Sequence, residues 1–176
     1  MVLCGTGHRP QSLTSFGGSI YERAELTQLE QRLRDCARAY LTWLEPTKVV
    51  TGMALGWDTA LAEAAVMVGV PLVATVPFVG QERRWSEAAQ VRFHDLLASC
   101  AEVIYVSEGP YAAHKMQLRN AYMVEHSDRV LALWNGTPGG TGHCVRYAQG
   151  SGTRVTNLWT TFTRHAGLPF LRRNLP

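Results

Sequence analysis

A chain of 176 residues with 46% apolar and 18% charged side chains is long enough to bury a core and too apolar to remain disordered. Its net charge of +3, from 17 basic and 14 acidic residues, is too small and too evenly spread for a nucleic-acid surface; only the tail, with Arg164, Arg172 and Arg173, is locally basic. Cys4, Cys36, Cys100 and Cys144 lie far apart with no metal-ligand spacing, and no apolar run approaches the ~20 residues that span a membrane. Free thiols and an N-terminus without a basic stretch ahead of an apolar signal core lead to the expectation of one cytoplasmic domain over residues 1–176, with no metal and no membrane partner.

Taken in order, Val2-Leu3-Cys4 reads as a short strand running into a glycine turn, Gly5-Thr6-Gly7-His8-Arg9-Pro10. Arg9 there could fork onto a phosphate or carboxylate, and His8 could donate to one or exchange a proton. Gln11–Ser19 is polar and reads as a mobile cover over that turn. From Tyr21 to Leu44 the apolar residues Leu26, Leu29, Leu33, Cys36, Ala37, Tyr40 and Leu44 recur at three- and four-residue steps, which predicts a long scaffold helix. Pro46 ends it.

The stretch Lys48–Ala65 organises the rest. A strand ending in Val49-Val50 breaks into Thr51-Gly52-Met53-Ala54-Leu55-Gly56-Trp57-Asp58, and an alanine-rich helix starts at about Asp58. Strand, glycine turn and helix N-terminus together make an anion site, because the backbone bends close to a ligand and the helix offers unpaired N–H groups. Asp58 suits the N-cap role. Leu72–Val76 is the third strand. Trp85 leads into a helix over Ser86–Ser99 and reads as core; Glu102–Val106 is the fourth strand. A helix carrying Arg119 and Asn120 ends near His126, and Arg129–Leu133 is the fifth strand. Asn135–Gly142 is the last glycine-rich turn, with Thr141 as a candidate cap for the helix through Val145 and Ala148. Arg154–Thr156 is a sixth strand, and Leu158–Pro176 shows no pattern.

Strands alternating with helices across short loops predict a Rossmann-like, doubly wound, mostly parallel sheet with helices on both faces. Its glycine turns fall at carboxyl ends of strands, where such sheets bind ligands. Neither GxGxxG with a following ribose-binding acid nor GxxxxGK[ST] occurs, which speaks against a standard dinucleotide dehydrogenase and excludes a P-loop ATPase.

The motifs Gly5–Pro10, Thr51–Asp58, Phe78-x-x-Gln81-x-x-x-Trp85, Gln117–Asp128 and Gly139-Gly140-Thr141 with Ala148 resemble, in that order, the YpsA family of bacterial proteins within the SLOG superfamily, which also groups DprA and the lonely-guy phosphoribohydrolases. The resemblance runs from Leu3 to about Ala148 and implies a nucleotide or nucleotide-derived ligand at the glycine turns. Pro138–Gly142 is similar to the first part of the lonely-guy PGGxGTxxE motif, and Arg119 matches that group's helical Arg. His143, however, replaces the Thr, and Arg146 stands where the Glu belongs.

The resulting expectation is binding of a nucleotide or an ADP-ribose-like derivative, sensed or sequestered. Phosphate is assigned to the amides of Gly139, Gly140 and Thr141 with Gly52–Gly56 approaching; Arg9, Arg119 and Asn120 add polar contacts, and His8 or Trp57 touch sugar or base. The implied ligand-site residues are thus Gly5, Thr6, Gly7, His8, Arg9, Gly52, Met53, Ala54, Gly56, Trp57, Asp58, Arg119, Asn120, Gly139, Gly140 and Thr141. One alternative is an N-glycosidic-bond hydrolase in which Glu125 or Asp58 assists. Another is a partner-binding regulator with a vestigial pocket. A protein partner or a homodimer stays open, and nucleic acid is the weakest choice of partner.

Overall fold

The computed structural model describes residues 1–13 and 23–164. In chain order the elements are β1 (Val2–Gly7), α1 (Pro10–Leu13), α2 (Arg23–Leu44), β2 (Lys48–Thr51), α3 (Trp57–Val68), β3 (Leu72–Val76), α4 (Glu87–Ala98), β4 (Glu102–Tyr105), α5 (Ala113–Glu125), β5 (Arg129–Leu133), α6 (Gly140–Gly150), β6 (Arg154–Asn157) and α7 (Trp159–Arg164). The six strands form one sheet in the order β4-β3-β2-β1-β5-β6, every neighbouring pair parallel. The doubly wound, Rossmann-like expectation is met, and the sheet is parallel throughout. Of the proposed cover, Gln11–Leu13 belong to α1, and the remainder lies outside the described residues, as do Tyr21, where the long helix was expected to begin, and the basic tail beyond Arg164.

Alternation along the strands sorts the core into two layers. Leu3, Val49, Leu72, Ala74, Leu131 and Leu133 pack with Leu33 of α2, Leu61 of α3 and Phe93 of α4. Cys4, Val50, Val73, Val130 and Ala132 face the other way, onto Met123 and Val124 of α5 and Cys144, Val145 and Ala148 of α6. Trp85 packs edge-on against Phe93 at 5.5 Å, in keeping with its reading as core.

The first glycine turn is not a turn. β1 continues through Gly5, Thr6 and Gly7, which pair with Leu131, Ala132 and Leu133 of β5. Its glycines serve close packing of α3 on the strand, since a Cβ on Gly5 would lie 2.2 Å from Leu61 Cδ2 and one on Gly7 2.4 Å from Trp57 Cβ. Bringing α3 in this closely lets the turn before it reach over the carboxyl ends of β1 and β5.

An ion-pair network ties the three helices of that layer together. Arg92 of α4 grips Glu63 of α3 with Nε at 2.5 Å and Nη2 at 2.6 Å and reaches Glu30 of α2 at 2.9 Å, while Arg34 of α2 lies 3.3 Å from Glu63. These side chains are 17–30% exposed, so solvent screens them only in part. Glu63→Gln should lower stability by about 1–3 kcal/mol, the range for losing charged hydrogen bonds, as a lower urea midpoint at unchanged slope.

Candidate functional site

β1 is the strand at which the winding reverses. Its neighbours are β2 on one side and β5 on the other, and a crevice opens beyond their carboxyl ends, where parallel sheets take ligands. Four segments wall this cleft of about 370 Å³: the end of β1 with the residues after it, the β2–α3 turn with the start of α3, α5, and the β5–α6 loop with the start of α6. Its size falls in the range of small-molecule sites, roughly 300–1,000 Å³.

The β2–α3 turn is held from within. Thr51 Oγ1 accepts from the Met53 N–H at 3.2 Å and donates to the Asp58 carbonyl at 3.1 Å, and Thr59 Oγ1 donates to the Ala54 carbonyl at 2.8 Å. Gln81 Nε2 donates to the Gly52 and Met53 carbonyls at 3.4 and 3.3 Å. Met53 therefore sits at φ 56, uncommon for a residue with a side chain, in a buried and fully tied turn.

Asp58 departs from the expected cap. Gly56 is the N-cap of α3, no side chain caps the helix, and Asp58 lies inside the first turn. Its Oδ2 instead accepts from Arg119 Nη1 at 3.3 Å, both side chains being buried at 6% and 7% exposure. Gly52 makes the room: a Cβ there would lie 1.0 Å from Arg119 Nη1. Burial pushes the Asp58 carboxyl above its ordinary value; Arg119, the Ala54 N–H and Arg9 oppose that rise without cancelling it. Arg119 Nε, also buried, has no partner.

The α6 end of the cleft is built of backbone. Gly139, at φ 140, is the N-cap, no side chain caps the helix, and Thr141 lies within the first turn instead of capping it. His143 N–H reaches back to the Gly139 carbonyl at 2.9 Å; the N–H groups of Gly140, Thr141 and Gly142 precede the first bond of the ladder. Asn120 Nδ2 donates to the Gly140 carbonyl at 3.4 Å and fixes α6 against α5. On the opposite wall His8 Nε2 is 2.7 Å from Asn135 Oδ1 and 3.1 Å from the Asn135 N–H. One ring nitrogen cannot serve both: neutral with its proton on Nδ1 it accepts from the backbone, and with a proton on Nε2 it donates to Oδ1. Asn135 Oδ1 also accepts from Thr137 N and Oγ1, so His8 positions the loop that leads to Gly139. Arg9 is exposed at the rim.

Of the residues expected from sequence, the fold brings Thr6, Gly7, His8, Arg9, Ala54, Asp58, Arg119, Asn120, Gly139, Gly140 and Thr141 to this one cleft. Gly5, Gly52, Met53, Gly56 and Trp57 do not line it. Gly5 is packed under Leu61, Gly52 under Arg119, and Met53 and Trp57 are core side chains, the Trp57 indole donating to the Leu131 carbonyl at 3.1 Å. Gly56 stands at φ 95, where a Cβ would lie 2.6 Å from the His8 carbonyl oxygen, so it shapes the turn from behind. Glu125 is also removed from the cleft. It closes α5 six residues beyond Arg119, about 9 Å along the axis, and accepts from the Tyr147 hydroxyl. Gln11, Ser12, Met116, Thr137 and Pro138 line the cleft without having been singled out as ligand residues. Met116 could have been found from its spacing, three and four residues before Arg119 and Asn120 on one helix face.

Thiolate chemistry has no support here, since burial raises the Cys144 thiol to about 11 and that of Cys4 further. Among the described residues no three His, Cys, Asp or Glu side chains gather as a metal site, and no helix is long and apolar enough to cross a membrane.

The family model for YpsA, described as a YspA SLOG family, matches residues 3–150. The chain belongs to this SLOG family. It is 26% identical over 140 residues to the SPbeta prophage-derived protein YoqJ of Bacillus subtilis, covering 70% of this chain and 82% of that one. It is 31% identical over 139 residues to a UPF0398 protein of Shouchella clausii, covering 74% and 71%. Among solved structures the fold is similar to DNA processing protein A (DprA) of Helicobacter pylori, described for its single-stranded DNA binding mode, with a TM-score of 0.59, 17% identity, and coverage of 88% of this chain but 63% of that one. The chain spans about half, 48%, of the DprA chain from Streptococcus pneumoniae, at a TM-score of 0.52 and 15% identity. These structural likenesses concern the fold.

Proposed function

We propose that this SLOG protein binds a nucleotide or an ADP-ribose-like nucleotide derivative in the cleft at the ends of β1 and β5, and senses or sequesters it. One observation carries the reading: the uncapped N-terminus of α6 and the Arg119 side chain wall the same cleft, which brings first-turn amides, helix dipole and a guanidinium to one place for an anion. Arg9 at the rim adds a second cation for a further phosphate or carboxylate. Family membership supports the same class of ligand.

A thermal-shift panel of AMP, ADP, ADP-ribose, NAD and cyclic nucleotides tests it. Ligand at 100 times its dissociation constant adds about 2.7 kcal/mol of stability, a clear rise in Tm. Gly140→Asp should abolish that rise while leaving the free protein within about 0.5 kcal/mol of the parent. A Cβ at Gly140 meets nothing within 4 Å, so the variant folds, and its carboxylate stands where the phosphate would. Unchanged affinity in this variant would refute the phosphate assignment. The hydrolase alternative retains Asp58 as its acid in the cleft, because Glu125 is elsewhere; ligand recovered intact by chromatography after prolonged incubation argues against it. Strong, salt-sensitive DNA binding would favour a nucleic-acid partner instead.

A further inference from the structure

The Asp58–Arg119 pair is loosely made. A single contact at 3.3 Å joins it, whereas charge-assisted N–H···O bonds close to about 2.7–2.9 Å and arginine commonly forks onto a carboxylate. Arg92 does fork onto Glu63 in this same chain, at 2.5 and 2.6 Å. Arg119 thus keeps a buried donor without an acceptor, and Arg119 and Asp58 both belong to the wall of the cleft.

The charges around Asp58 sharpen the point. Arg119 faces it from α5, Arg9 from the segment after β1, and the Ala54 N–H from its own turn; the thiols of Cys4 on β1 and Cys144 on α6 are neutral neighbours. Two cations and one carboxylate leave the cluster at one positive charge. A dianion arriving on Arg119 and the α6 amides makes it negative overall, around a carboxylate already withdrawn from water, where unpaired charge is costly.

We propose that Asp58 holds Arg119 in place of the ligand's anion and yields it on binding, taking up a proton from solvent as it does. The Arg119 bond passes from Asp58 Oδ2 to a ligand oxygen, and Asp58 changes from carboxylate to carboxylic acid. This rests on the cleft binding an anion, as proposed above. The direction of the pH dependence follows from linkage. Proton uptake makes affinity rise as pH falls, by up to tenfold per unit between the Asp58 value in the complex and that in the free protein, and level beyond both.

Sulfate is the probe, because it mimics phosphate yet keeps its charge between about pH 5 and 8, whereas a phosphate monoester titrates near ~6. Its dissociation constant is measured across that range at constant ionic strength for the parent chain, Asp58→Asn and Arg119→Ala, with circular dichroism to show that each variant is folded. The parent should bind more tightly as pH falls. Asp58→Asn should bind at least tenfold more tightly than the parent at neutral pH, with no pH dependence, and Arg119→Ala should not bind. A flat parent profile overturns the proposal, as does Asp58→Asn binding equally or more weakly than the parent. Should Asp58→Asn fail to fold, calorimetry of the parent in two buffers of different ionisation enthalpy counts the protons directly, and a count of zero overturns it. Failure of sulfate to bind the parent at any pH, with Arg119→Ala indistinguishable from it, overturns the anion site itself and this proposal with it.

Discussion

Trp57→Ala should destabilise the protein by about 3–5 kcal/mol, the range for truncating a large buried aromatic. The indole is fully buried at the start of α3, and it lies against β1, where a Cβ on Gly7 would come within 2.6 Å of its Cβ, Cγ and Cδ1. Its Nε1 donates to the Leu131 carbonyl of β5, so one side chain joins the helix to both strands that floor the cleft. Trp57→Phe keeps most of the volume and loses the donor, so about 1–2 kcal/mol is expected there, on the scale of one hydrogen bond with some void. Urea unfolding checks both, through midpoints that fall while the slope stays constant. The sequence reading, in which this indole touches the sugar or base of a ligand, makes the opposite forecast of a stable variant with weakened binding. A ΔΔG below about 1 kcal/mol would restore that reading.

Where sequence reasoning succeeded and where it failed has a common physical origin. Strand runs such as Leu72–Val76 and Arg129–Leu133 were legible to the residue because a parallel strand covered on both faces must be apolar along its length, and turn residues bracket it. Glycines were the chief source of error. At Gly139 the glycine does what was expected, taking φ 140 at a helix start that lines the cleft. At Gly5 it admits Leu61, at Gly7, which also lines the cleft, it admits Trp57, and at Gly52 it admits the Arg119 guanidinium. A missing side chain looks the same in a sequence whether backbone geometry, a ligand or a neighbouring helix demands it. Asp58 misled for a related reason. An acid at a helix start is usually a cap, and its partner lies 61 residues away on α5. Helix α7 gave no signal because only Leu158 and Phe162 mark its buried side, too short a run for a period; its start is held by Asn157 Oδ1, which accepts from both Trp134 N and Trp159 N.

Arg119→Ala should lower stability by about 3–5 kcal/mol at neutral pH, since deleting one partner leaves the other buried and uncompensated. That deficit should shrink on acidification. Burial already raises the Asp58 carboxyl, and Arg119 is the largest influence opposing the rise, so its removal lifts the carboxyl further. A carboxyl raised in the fold binds more protons folded than unfolded. Stability therefore falls as pH climbs from the unfolded value, roughly 3.9, through the folded one, and returns as pH comes back down. Urea midpoints of parent and variant at about pH 5, 6 and 7 should converge toward the acid end; a gap independent of pH would trace the loss to the packing of the guanidinium alone. That packing has its own check. Gly52→Ala should be strongly destabilising in the parent, because its Cβ would fall 1.0 Å from Arg119 Nη1, and nearly silent once Arg119 is alanine. The two substitutions then fall short of additivity by most of the Gly52→Ala effect, as expected for residues that compete for one space. Additive losses would mean that Gly52 is required by the turn and not by the arginine lodged against it.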